Sequence, residues 1–127
     1  MKIEHAALYV KDLEATKTFF ETYFNATSNA KYHNQKTSFM SYFLAFDGGA
    51  RLEIMTRNEL DELPKTALRT GYHHLAFSVG SKEAVNALTE RLRQDGYTVT
   101  SEPRITGDGY YESVILALED NLIEITI

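Results

Sequence analysis

The chain has no cysteine among its 127 residues. That excludes a disulfide framework, a thiolate metal site, an iron–sulfur cluster and a cysteine nucleophile. Long apolar runs are missing too. None approaches the roughly 20 residues that span a bilayer, and the opening Met1-Lys2-Ile3-Glu4-His5 lacks the apolar core of a signal peptide. Positive charge is short: 13 Lys and Arg stand against 18 Asp and Glu, giving −5 with no block of like charge. Nucleic acid and anionic membrane are poor partners for that balance. What remains, 43% hydrophobic and 24% charged, is ordinary for a globular chain. The expectation is a cytoplasmic protein of one domain, with no membrane and no nucleic-acid partner.

Hydrophobic periodicity divides the chain. Ala6, Leu8 and Val10 form an apolar period-two row, with His5, Ala7 and Tyr9 on the other face of the same strand. Asp12 is a good N-cap for a helix over 13–24, where Leu13, Thr16, Phe20, Tyr23 and Phe24 recur at helical spacing. The polar stretch 26–37 suits a short strand or loop. Residues 38–46 and 50–55 read as strands around the Asp47-Gly48-Gly49 turn. Leu52 and Ile54 share one face of the second strand, and Arg51, Glu53 and Met55 share the other.

Residues 57–71 read as a connector containing a helical turn, and then the plan restarts. His74, Ala76 and Ser78 oppose Leu75, Phe77 and Val79 on a strand. Ser81 caps a helix with Ala84, Val85, Leu88 and Leu92 on one stripe, stopping at Asp95-Gly96. A strand over 97–100, a loop over 103–109 and a hairpin of 111–118 with 122–127 complete the second half. Asp120 or Asn121 is expected to take the left-handed geometry of that hairpin's turn.

The halves match residue by residue. His74 follows His5 by 69 positions, and the same shift carries Leu8 to Phe77, Val10 to Val79 and Glu14 to Glu83. Arg51-Leu52-Glu53-Ile54 falls on Leu122-Ile123-Glu124-Ile125 at a shift of 71. Two copies at this period point to a duplication rather than a solenoid. The fold expected is α+β, with two βαβββ modules forming a curved, half-open mixed sheet. Module 1 covers about 1–56 and module 2 about 72–127.

The repeat singles out His5, Glu53, His74 and Glu124, each on the strand face opposite the apolar row. Two imidazoles and two carboxylates gathered at one centre suit a borderline divalent ion such as Ni, Zn, Co, Mn or Fe, and leave one or two positions open. His73 falls in register with Leu75 and Phe77, and being first in the strand it is expected half exposed at the rim. His33 lies in a polar segment. Tyr9, Tyr42, Arg51, Met55 and Tyr111 are candidates for lining a substrate pocket.

The segments His5-Ala6-Ala7-Leu8-Tyr9-Val10-Lys11-Asp12-Leu13, Arg51-Leu52-Glu53-Ile54, Gly71 through Val79, and Gly109 through Leu116 with Ile123-Glu124-Ile125 resemble the motifs of the vicinal oxygen chelate superfamily. That group contains glyoxalase I, bleomycin-resistance proteins, extradiol dioxygenases, fosfomycin-resistance enzymes and methylmalonyl-CoA epimerase. The resemblance implies a metal in the cleft of two βαβββ modules and a homodimer. The order His, Glu, His, Glu is similar to that of short bacterial glyoxalase I (lactoylglutathione lyase). It implies enediolate chemistry on a chelating α-hydroxycarbonyl or hemithioacetal substrate, a thiol conjugate included, with Glu53 or Glu124 as the base. Tyr9 stands where those enzymes usually carry Arg. The alternatives are a non-catalytic binding protein of the bleomycin-resistance type, or another member activity such as thiol transfer, epimerisation or dioxygenation.

Overall fold

The computed structural model of the chain describes residues 1–62, 64 and 70–127. The chain divides into two compact units, Met1–Leu63 and Pro64–Ile127. Each builds an open mixed sheet with one helix, the α+β class read from the sequence. The described residues of the connector, 57–62, 64, 70 and 71, form no helical turn, and 63 and 65–69 lie outside the described residues.

Unit 1 runs β1 (His5–Tyr9), α1 (Leu13–Phe24), β2 (Thr27–Ser28), β3 (Tyr32–Asn34), β4 (Phe39–Ala45) and β5 (Arg51–Thr56). Its strand order is β1-β5-β4-β2, with β3 also paired to β4. Strands β1 and β5 are parallel and the other pairs antiparallel. Helix α1 starts where the Asp12 carboxylate accepts the Ala15 N–H at 2.8 Å, satisfying a donor the first turn leaves free. It stops at Asn25, in the left-handed region at φ 52°. Leu13, Thr16, Phe19 and Phe20 make its buried stripe. They belong to the same core as Val10, Leu44, Leu52 and Ile54, all at most 5% exposed. Burying one such aliphatic side chain is worth roughly 1.5–3 kcal/mol. A one-residue slip of β5 would exchange Leu52 and Ile54 for Glu53, so the burial holds the register.

Between β2 and β3 the ladder is interrupted by Asn29. Its N–H donates to the Phe43 carbonyl at 3.1 Å, and its side-chain oxygen accepts the Phe43 N–H at 2.8 Å. A side chain thus replaces a backbone acceptor, which is why the polar stretch yields two short strands rather than one.

Unit 2 runs β6 (His74–Ser78), α2 (Lys82–Gln94), β7 (Thr98–Ile105), β8 (Tyr111–Leu116) and β9 (Leu122–Thr126), in the order β6-β9-β8-β7. Strands β6 and β9 are parallel, repeating β1 and β5. Ser81 accepts the Ala84 N–H at 3.1 Å to start α2, and Gly96 follows its end at φ 94°.

One expectation needs correction. Strand β7 continues through Pro103 to Ile105 instead of ending in a loop. It is an edge strand, and its pairing with β8 shifts between Ser101 and Arg104, the setting in which a residue without N–H is tolerated. In the turn before β9, Asp120 takes the left-handed geometry expected of it or Asn121 (φ 58°), Glu119 joins it at φ 54°, and Asn121 is extended at φ −82°.

Candidate functional site

Strand register decides which side chains share a face. In unit 1, His5 is opposite Arg51, Ala7 opposite Glu53 and Tyr9 opposite Met55. Phe43 lies opposite Glu53 and Ser41 opposite Met55. His5 and Glu53 are therefore one step apart on adjacent strands, on the face away from Leu52 and Ile54. Unit 2 repeats the diagonal: His74 is opposite Leu122, and Ala76 opposite Glu124. There the two side chains meet, with His74 Nε2 3.5 Å from Glu124 Oε2.

Each strand histidine is also engaged at Nδ1 by the residue before it. His5 Nδ1 bonds the Glu4 carboxylate, and His74 Nδ1 lies 3.0 Å from His73 Nδ1. Glu4 accepts from the Arg51 guanidinium as well, with Nε at 2.9 Å. The hydrogen bond from His5, and next that from Arg51, hold the Glu4 carboxyl below the usual carboxylate range. His73 is exposed and precedes β6, so the half-exposed rim position expected for it is corrected. Its side chain turns to its neighbour because no strand pairing holds it in alternation. His33 is exposed on β3.

The pocket candidates separate into two groups. Tyr9, Arg51 and Met55 share the face of Glu53. Tyr42 and Tyr111 do not. Tyr42 is opposite Ile54 in the ladder, and its hydroxyl donates to Glu14 of α1 at 3.1 Å. Tyr111 shares its face with Ser113 and Ile115, and its hydroxyl donates to Asn86 of α2 at 2.8 Å. Both rings brace a helix, so they are not pocket residues on the His and Glu face.

Glu112 was missed from the sequence. It is opposite Thr126, while Val114 is opposite Glu124, so Glu112 and Glu124 share a face. Its side chain is 12% exposed and lies 3.7 Å from Arg104. Burial, and then the Glu124 carboxylate, push its carboxyl above the usual range, against the pull of Arg104. Period two counted back from Val114 would have found it.

Among the described residues, no three His, Asp or Glu side chains come close enough together to hold a metal ion. What each unit offers is one imidazole and one carboxylate on a common face. Those donors match the chemistry of borderline divalent ions.

The sequence model of the Glyoxalase/Bleomycin resistance protein/Dioxygenase superfamily matches residues 2–125. The fosfomycin resistance protein FosX of Listeria monocytogenes is 32% identical over 108 residues, covering 84% of this chain and 75% of the relative. A solved structure described as a possible glyoxalase from Bacillus cereus has a TM-score of 0.74 at 28% identity, covering 100% of this chain and 99% of that one. Glyoxalase I of Zea mays shares the fold, with a TM-score of 0.80 at 20% identity. That match takes in 98% of this chain and 44% of the maize chain.

Proposed function

The chain belongs to the Glyoxalase/Bleomycin resistance protein/Dioxygenase superfamily, and from that premise we propose that it is a metal-dependent lyase or isomerase of the glyoxalase I type. The observation that carries this is the repeated diagonal: His5 with Glu53 in one unit, His74 with Glu124 in the other, at equivalent register. Those four side chains would hold one divalent ion (Ni, Zn, Co, Mn or Fe). When bound, such an ion would acidify the C–H of an α-hydroxycarbonyl or hemithioacetal that chelates it through two oxygens. Two carboxylates balance a dication. Glu53 or Glu124 takes the proton from one carbon and returns it to the next. Tyr9 and Met55 offer the substrate an apolar wall on the face of Glu53.

A second reading is favoured by the 32% identity to a fosfomycin resistance protein: the same face serves resistance to a small oxygen-rich antibiotic, by binding it or by reacting with it. We place the protein in the cytoplasm as a homodimer. The ends of the two sheets at β1 and β6, strands with one unpaired edge in their own unit, support association.

The test begins with metal analysis of protein purified without a histidine tag. Metal-loaded protein is then assayed on the methylglyoxal–glutathione adduct, a panel of small hydroxy-ketones, and fosfomycin. Stoichiometric metal with turnover of the adduct or a hydroxy-ketone supports the lyase. Fosfomycin binding or modification alone supports the second reading. Metal-free protein that acts on none of them rejects both.

A further inference from the structure

Four side chains of unit 1, His5 among them, close a ring. Glu4, the residue before β1, accepts from His5 Nδ1–H and from the Arg51 guanidinium. Arg51 lies over the Phe43 ring, 4.3 Å from its centroid. Phe43 in turn meets the His5 ring edge-on, at 5.4 Å between centroids. The Arg51 N–H donates to the Glu4 carbonyl at 3.0 Å, so the backbone sets Glu4 beside the strand that supplies both Arg51 and Glu53.

A carboxylate only accepts, so in the neutral imidazole the bond from His5 keeps the ring proton on Nδ1 and leaves Nε2 bare. A bare Nε2 with Nδ1–H tied to an outer partner is the form in which histidine ligates a divalent ion, and the partner fixes the ring's direction. A lone exposed ion pair would add little order. Here Glu4 is held on one side by a guanidinium that is itself stacked on an aromatic ring, and His5 is held on two sides.

Unit 2 places a different partner at the equivalent position. His73 precedes β6 as Glu4 precedes β1, and its Nδ1 faces His74 Nδ1 at 3.0 Å. One of these two nitrogens donates and the other accepts. The Glu124 carboxylate, 3.5 Å from His74 Nε2, favours a proton on that nitrogen, so His73 does not preset a bare Nε2 on His74 as Glu4 does on His5.

On the metal reading above, we infer that Glu4, fixed by Arg51, is a positioning residue that presets His5 to bind a divalent ion through Nε2. Arg51 then has a role other than meeting substrate charge. Its guanidinium is committed to Glu4 and Phe43.

The experiment uses the full-length protein, with nitrogen-15 NMR of the imidazole rings without metal and Zn²⁺ titration calorimetry. Wild type should show His5 as the Nδ1–H tautomer. Glu4→Ala should move it toward Nε2–H and weaken Zn²⁺ binding about 10–100-fold, while Glu4→Gln, which keeps an acceptor, recovers most of the affinity. Removing the exposed Glu59 as Glu59→Ala deletes the same charge and should change neither readout. In a His5→Ala background, Glu4→Ala should cost nothing further. Zn²⁺ binding by wild type with the His5 tautomer and affinity unchanged in Glu4→Ala overturns the inference and leaves the metal reading intact. Equal losses in Glu4→Ala and Glu59→Ala also overturn it, by assigning the effect to net charge. Failure of wild type to bind any of the candidate ions overturns both.

Discussion

His74 Nε2 stands 3.5 Å from Glu124 Oε2, across two parallel strands and one step along the ladder. That distance suits two ligands of one ion better than a direct hydrogen bond, which needs about 3 Å. On the proposed metal reading, His74→Ala removes a ligand, whereas His73→Ala removes only a neighbour of that ligand. Zn²⁺ affinity should fall by more than about 100-fold in the first and by about 10-fold in the second. Calorimetry giving equal losses would mean that His73 is itself a ligand.

Tyr42→Phe and Tyr111→Phe should leave metal and substrate binding unchanged. Their hydroxyls bond Glu14 and Asn86 on the helices, so each loss appears as stability, about 0.5–1.5 kcal/mol in urea unfolding. A change in metal affinity or KM without a change in stability would return these rings to the site.

In unit 2, Thr89 and Ser113 are 1% and 0% exposed, with their hydroxyl oxygens 2.6 Å apart. Thr89 donates to the Val85 carbonyl, so Ser113 donates to Thr89. Thr89→Val strands the Ser113 hydroxyl in the core and should cost about 1–3 kcal/mol. Adding Ser113→Ala should recover most of that loss, because no buried donor is then left unpaired. A double variant as unstable as the sum of the two singles would contradict this pairing.

The Glu14 carboxyl is held below its ordinary value of 4.5, first by the hydrogen bond from Lys31 and then by that from Tyr42. A carboxyl with a lowered folded-state pKa adds stability above its unfolded value, and that stability is lost as pH falls through the folded value. Glu14→Gln should therefore be less stable than wild type at pH 7. The deficit should stay within the ~0.2–1 kcal/mol of exposed ion pairs, and the two proteins should converge once pH has fallen below the lowered folded-state value. Parallel stability curves across that range would refute the linkage.

Local chemistry made much of this protein legible. Alternation along 5–10, 51–56, 74–79 and 122–127 placed His5, Glu53, His74 and Glu124 opposite the apolar rows, because burying Leu52, Ile54, Ile123 and Ile125 permits only one register. Asp12 and Ser81 mark helix starts, since a cap needs only a side-chain oxygen and an N–H three residues on.

Other features depended on partners distant in sequence. In residues 39–46 both faces are aromatic or apolar, so alternation is silent there. Only pairing with β5 assigns Tyr42 to the side of Ile54 and Phe43 to the side of Glu53. Pro103 breaks a local rule that an edge position and a register shift relax. Glu4 reads as an ordinary charge until the parallel pairing of β1 with β5 brings Arg51 beside it. Periodicity and capping are written within a few neighbouring residues, and the sequence determines them alone. Which strand lies beside which, and hence which side chain ties down His5 or braces a helix, is settled only when burial of both apolar faces closes the sheets.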